Sequence, residues 1–191
     1  LMHHRITLAL SLLAISAIAA DPLPGHSSHG EAFNEGPRQA AKLITGAGKV
    51  SFTITPKNQE EQAFFNQGIG QLHGFWYFEA ERSFRQVSTL DKECAMAFWG
   101  MAMANVNNEK RAKEFVKKAA ALKSKASDRE KLWIGVLETF YKEDANDKRD
   151  KKQRALDYIR DLENLVHSHP DDVEAKAFLA WKIWHANGDA P

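Results

Sequence analysis

The chain has 191 residues, 43% of them hydrophobic and 27% charged, with a formal net charge of +1 at pH 7. That length allows one domain with a real core, and the balanced charge gives no global argument for a nucleic-acid partner. A single cysteine, Cys94, excludes an internal disulfide, so the fold has to rest on hydrophobic burial.

The first element is a leader. His3, His4 and Arg5 precede an apolar run from Ile6 to Ile18, and Ala17-Ile18-Ala19-Ala20 is followed by Asp21-Pro22. The run is shorter than the roughly 20 apolar residues a membrane span needs. A basic start, a short apolar stretch and small residues before a breaker predict a signal peptide over residues 1–20. An uncleaved N-terminal anchor is the alternative. Cleavage would leave about 171 residues (191 − 20), with no second hydrophobic run and so no membrane span. The protein is therefore expected to be exported, to the periplasm or outside the cell.

Residues 21–30 are rich in Pro, Gly, Ser and His and read as a linker. A short helix is predicted after Pro37, around Leu43 and Ile44, and Gly46-Ala47-Gly48 then turns the chain. Val50, Phe52 and Ile54 alternate with Ser51 and Thr53, the period of an extended segment that must lie on something else. Residues 21–54 thus form a linker and an extended strap.

From Thr55 the pattern is helical. Thr55-Pro56 offers an N-cap hydroxyl and a first-turn proline, and Ser127-Asp128-Arg129-Glu130 has the form of a capping box. Breaks near Gly74, Asp91, Asn107-Asn108, Ser124–Ser127, Asp144–Asp147 and Pro170 divide residues 55–191 into about seven helices. Charge is uneven along them. Residues 109–131 carry nine Lys or Arg against four Asp or Glu, and residues 157–189 carry three against seven. Solvated helix faces are the usual meaning of both, and an anionic partner for the basic stretch is the alternative.

A small residue recurs in alternate helices at Gly68, Ala102, Gly135 and Ala180, at spacings of 34, 33 and 45. Between them, Ala80, Phe84 and Val87 recur as Ala112, Val116 and Ala119, then as Tyr158, Leu162 and Leu165. Phe64-x3-Gly68, Ala80-x3-Phe84 and Leu90-Asp91 make the best-formed unit; Cys94–Ala102 and Pro170–Ala180 look like the starts of two others. Over residues 58–187 this pattern resembles the tetratricopeptide repeat family, whose period is about 34 residues. It departs from the family at Lys92, where proline is usual, at Tyr158, where alanine is usual, and in a third unit about a dozen residues too long. The chain is also similar to the front part of larger exported bacterial repeat proteins of unassigned activity.

The resemblance implies an all-α solenoid of about three and a half helical hairpins behind a short irregular N-terminal segment. The alternative is an irregular helical bundle without true repeats. A last unit with one helix points to an array incomplete at its C-terminal end, and Leu1 before Met2 points to ends that are not the native ones. Trp181, Ile183 and Trp184 would then await a covering helix, since bare aromatics promote association.

Enzyme-like chemistry is sparse. A nucleophile-base-acid set, a Gly-rich phosphate loop and a C-x-x-C-H motif are all absent, so a binding protein without a cofactor is expected rather than an enzyme. His26-x2-His29-x-Glu31 could give zinc or copper two imidazoles and a carboxylate, but it has no fourth ligand and reads equally as a solvated loop. Cys94 sits in an apolar stretch and reads as a small buried hydrophobe.

In the family resembled, the first helix of each hairpin lines the concave face, presenting positions three before, one after and four after the small residue. Carried over, these are Phe65, Ile69 and Leu72; Trp99, Met103 and Val106; Leu132, Val136 and Thr139; and Ala177, Trp181 and Trp184. His73 and His185 stand at the groove's edge. Such a groove implies a protein or peptide partner, either an amphipathic segment or the chain's own strap. These side chains could also simply be core. An exported metal-binding protein using the N-terminal histidines, and the non-catalytic repeat region of a larger protein, are the alternative functions.

Overall fold

A computed structural model of the chain describes residues 35–188, except 47, 143 and 145. The leader and the His26, His29 and Glu31 set lie outside the described residues. Within those residues there are seven α-helices and no strand. They are α1 (Gln59–His73), α2 (Tyr77–Leu90), α3 (Ala95–Met103), α4 (Glu109–Leu122), α5 (Asp128–Phe140), α6 (Lys151–Ser168) and α7 (Val173–Gly188). Sequential helices pack against each other, and α1, α3 and α5 also pack in turn to form an inner layer. No described helix is long and apolar enough to cross a membrane.

The helix starts follow local side-chain chemistry. Asn58, Asn108 and Asp150 each accept a hydrogen bond from the backbone N–H three residues on, at 3.0, 3.3 and 2.7 Å. Such caps satisfy N–H groups that the helix itself leaves free. Ser127 and Glu130 form the expected reciprocal capping box at the head of α5. Two starts differ from expectation. Helix α1 begins at Gln59, capped by Asn58, and not at Thr55-Pro56. Helix α7 begins at Val173, where the Asp172 carboxylate accepts from Ala175 N at 3.1 Å.

Helix α3, Ala-Met-Ala-Phe-Trp-Gly-Met-Ala-Met, is apolar all round and every residue of it is buried, as such a helix must be. Cys94 immediately before it is buried too, and burial pushes its thiol up to about 12, well clear of the reactive thiolate range.

The ring of Phe84 on α2 sits where two other helices approach. A Cβ added at Gly68 of α1 would lie 2.6 Å from that ring, and one at Gly100 of α3 would lie closer still. Gly135 on α5 is different, because an added Cβ would meet only the Lys123 amine at 3.5 Å. Replacing Gly68 or Gly100 with alanine is therefore expected to cost about 1–3 kcal/mol through overpacking. Gly135→Ala should instead be neutral or stabilising by up to about 1 kcal/mol, because alanine is the better helix former. Urea denaturation of the three variants checks this, and equal losses at all three would contradict it.

The long connection between α5 and α6 is pinned by arginines. Arg149 bonds the carboxylates of Asp147 and Asp157 at 2.7 and 2.9 Å and donates to Thr139 O at 3.0 Å, while Arg154 donates to Phe140 O at 2.8 Å. These bonds tie Asp147 and Arg149 of the connection back onto the ends of the helices it joins. Much of the basic stretch from residue 109 is likewise paired, as in Lys113–Glu109, Lys123–Glu138, Lys125–Glu93 and Arg129–Asp172.

Candidate functional site

The inner face is occupied at one end and open at the other. Residues 37–44 are not helical as expected; they run along the outside of α1 and α2. The Gln67 side-chain amide donates to Lys42 O at 3.0 Å and accepts from Ile44 N at 2.8 Å, replacing the bonds a helix would have made. Gly46 and Gly48 then take φ angles of 90° and 87°, left-handed values that suit glycine, and the chain enters the groove.

There the predicted alternation holds. Phe52 and Ile54 are buried, while Ser51 and Thr53 face out. Phe52 is fully buried among Phe65 of α1, Trp99 of α3 and Trp133 of α5, with ring centroids 5.2, 5.5 and 5.1 Å away. Arg129 covers the outer side of its ring at 4.4 Å. The backbone is read by side chains. Asn66 accepts from Phe52 N at 3.1 Å, and Gln62 donates to Phe52 O at 2.8 Å and accepts from Ile54 N at 3.0 Å. Thr55 closes the strap by donating its N–H and hydroxyl to Glu130 at 2.7 and 2.6 Å.

Beyond the strap an aromatic cleft of about 520 Å³ remains open between the ends of α3 and α5, the α1–α2 turn, and α6 and α7. Its walls include Phe75, Tyr77, Met103, Val106, Leu137, Phe140, Tyr141, Tyr158, Trp181 and Trp184. A smaller recess of about 60 Å³ continues it toward Leu72, His73 and Phe178. Phe75 carries the one non-glycine positive φ among the described residues, 59°, and its ring is 61% exposed at the rim. A bulky side chain in that conformation costs about 1–3 kcal/mol and persists where the surroundings impose it. Here the backbone imposes it, through bonds from Phe75 N to Leu72 O and from Trp76 N to Gln71 O at 3.0 and 2.8 Å.

The residues carried over from the family pattern divide between these two regions. Phe65 and Trp99 are buried beneath the strap, and Ile69 is buried with them in the same core, so these three form no open groove wall. Leu72, His73, Met103, Val106, Trp181, Trp184 and His185 line the cleft or its recess. His73 Nε2 lies 2.7 Å from Glu174 Oε2, which ties α1 to α7.

The third unit is out by one position. Trp133, Leu137 and Phe140 face inward, whereas Leu132 is exposed and Val136, although buried, is not part of the cleft. The physical reason is that Gly135 marks no close helix crossing, so counting from it misplaces the face. Tyr141, Tyr158 and Lys182 were not anticipated either. Tyr158 stands where the family has alanine, and that substitution was the available signal. It fills the space between α6 and α3, its hydroxyl reaching Met103 Sδ at 3.7 Å. Burial raises the phenols of Tyr141 and Tyr158, so both are neutral donors at ordinary pH.

Among the described residues no group of three or more His, Cys, Asp or Glu is placed to hold a metal ion. No protein-family model, no curated protein and no solved structure matches the chain.

Proposed function

We propose that the chain is an exported scaffold of the tetratricopeptide type that binds a protein or peptide segment, and that the aromatic cleft is its working surface. The observation that carries this reading is the strap itself. The inner helices hold residues 52–55 as an extended segment, with alternate side chains buried and the backbone bonded by Gln62 and Asn66. A surface that accommodates one extended peptide in this way has the chemistry to take another where it is still open. The cleft's large, exposed aromatic side chains are the type that carry binding energy at interfaces. The reading is of a binding protein rather than an enzyme.

The test uses a phage-displayed library of 15-residue peptides selected on the full chain. Val106 is 38% exposed and Trp184 is 70% exposed, so Val106→Lys and Trp184→Ala should leave the melting temperature unchanged. Selected peptides are expected to bind each variant at least about 30-fold more weakly, the loss that accompanies a hot-spot residue. Failure to enrich any peptide, or equal binding to wild type and Val106→Lys, would overturn the proposal.

A further inference from the structure

Helix α7 places Phe178, Trp181, Lys182 and His185 on one face, at the spacing of one helical stripe, and that face forms a wall of the cleft and its recess. Lys182 is the unusual member. Its ammonium lies 4.8 Å from the centroid of Tyr158 and 5.0 Å from that of Phe140, both inside the cleft. Among the described residues it has no carboxylate within ion-pair distance and no hydrogen-bond acceptor. Burial pulls its pKa below the ordinary lysine value, the mark of a cation that has lost water without gaining an anion.

The other lining residues sharpen the point. Among the described residues, Lys182 and His185 are the ionisable nitrogen groups in the cleft wall, and none of the lining residues is an aspartate or glutamate. Asn107 adds a side-chain amide able to donate. The His185 ring is stacked on Trp181, 5.2 Å between centroids and 7° between planes, at the mouth. Elsewhere in this protein partly buried cations find carboxylates, as Arg129 finds Asp172 and Arg149 finds Asp157. The aromatic faces give Lys182 a partial substitute, since a cation over two rings is attracted by each. They are not hydrogen-bond acceptors for its three N–H donors, none of which bonds a protein acceptor among the described residues.

We propose that the cleft binds a carboxylate borne on an aromatic or aliphatic body, with Lys182 supplying the counter-charge and the surrounding rings holding the body. The inference rests on the cleft being the working site and adds the chemistry of what enters it. A volume of about 520 Å³ falls within the range of small-ligand sites, roughly 300–1,000 Å³, and suits two rings and a short acid. Two sources share that chemistry, a free organic acid and the terminal carboxylate of a peptide ending in an aromatic residue. Lys182 would repel a cationic ligand, and a neutral one would bring it no counter-charge.

The experiment titrates the full chain with four probes by calorimetry. They are 3-(2-naphthyl)propionate and its amide, and acetyl-Gly-Phe-Trp with a free or an amidated C-terminus. A charge-assisted hydrogen bond should favour acid over amide by about tenfold or more. Lys182→Met keeps the stem's length and apolar contacts and should abolish that preference without weakening the amide. A preference for the free naphthyl acid alone identifies a small-molecule ligand; one shared by the peptide identifies a terminal carboxylate. Equal binding of acid and amide to wild type would overturn the proposal while leaving the cleft as a binding site. Acid preference retained in Lys182→Met would overturn it as well. Binding of none of the four probes would overturn the proposal, and the phage selection reports separately on the cleft.

Discussion

Phe52→Ala is expected to destabilise the protein by about 3–5 kcal/mol, the range for deleting a fully buried phenylalanine. The strap precedes the first helix in sequence, yet it reaches the centre of the core. Phe52 touches α1, α3 and α5 through Phe65, Trp99 and Trp133, and so joins three helices of the inner layer at one point. Removing its ring would leave a cavity among large rigid rings that cannot readily close, so little of the loss would be recovered by relaxation. The outward-facing neighbours are the control. Ser51→Ala and Thr53→Ala should stay within about 0.5 kcal/mol of wild type, as exposed substitutions do. Urea denaturation followed by circular dichroism measures all three. Deleting residues 35–54 should act in the same direction and raise the binding of a hydrophobic dye. A midpoint for Phe52→Ala equal to that of Ser51→Ala would show the strap to be an appendage.

The same segment shows what the sequence disclosed and what it withheld. Burial of Phe52 and Ile54 was legible from their alternation, because period two is a local property of extended backbone. The seven helices and the positions of their breaks were legible for a related reason: caps and turns are set by a few adjacent residues, as at Asn108 and at Ser127–Glu130. Which partner a residue meets across the chain was not. Thr55 was read as a cap, yet it bonds Glu130, 75 positions away. Gly68 stands out in sequence as one of the recurring small residues, but Gly100, equally tight against Phe84, is hidden inside an apolar run. The third unit failed at the level of register. Gly135 looks like Gly68 in sequence but has open space beside it, and a one-residue error replaced Trp133, Leu137 and Phe140 by their neighbours. The open cleft was half legible. Met103, Val106, Trp181 and Trp184 could be counted off from the recurring small residues, while Phe75 and Tyr141 depend on where turns and helix ends come together and Lys182 on which rings α7 is packed against.

Glu81→Gln should cost a further large amount, about 3–5 kcal/mol, because it breaks a buried charge cluster at its common partner. Glu81 is an i,i+4 neighbour of Arg85, a pairing that in sequence looks like any solvated helix face. In the structure both are buried, with exposures of 3% and 1%. Arg111 of α4 joins them, its guanidinium 2.6 Å from Glu81 Oε1, and Asn105 donates to Glu81 Oε2 at 3.0 Å. The described part of the strap starts on this cluster. Arg85 and Arg111 both donate to Glu35 O, at 2.7 and 2.8 Å, and Gly36 has φ 90° with room for no Cβ, since one would lie 2.7 Å from Glu81 Oε1. Neutralising Glu81 would remove the anion that two buried guanidiniums share, with the Glu35 carboxylate standing farther from Arg111, at 3.7 Å. Arg111→Met should cost less, because Glu81 keeps Arg85. The order of the two variants is therefore diagnostic: a solvated pair would show neither loss, and independent pairs would show equal ones. Limited trypsin digestion adds a local readout. Loss of the cluster should release residues 35–44 and speed cleavage at Arg38 and Lys42, while Phe52 stays seated on the inner helices. Unchanged denaturation and unchanged cleavage in Glu81→Gln would show that the cluster holds neither the helices nor the strap.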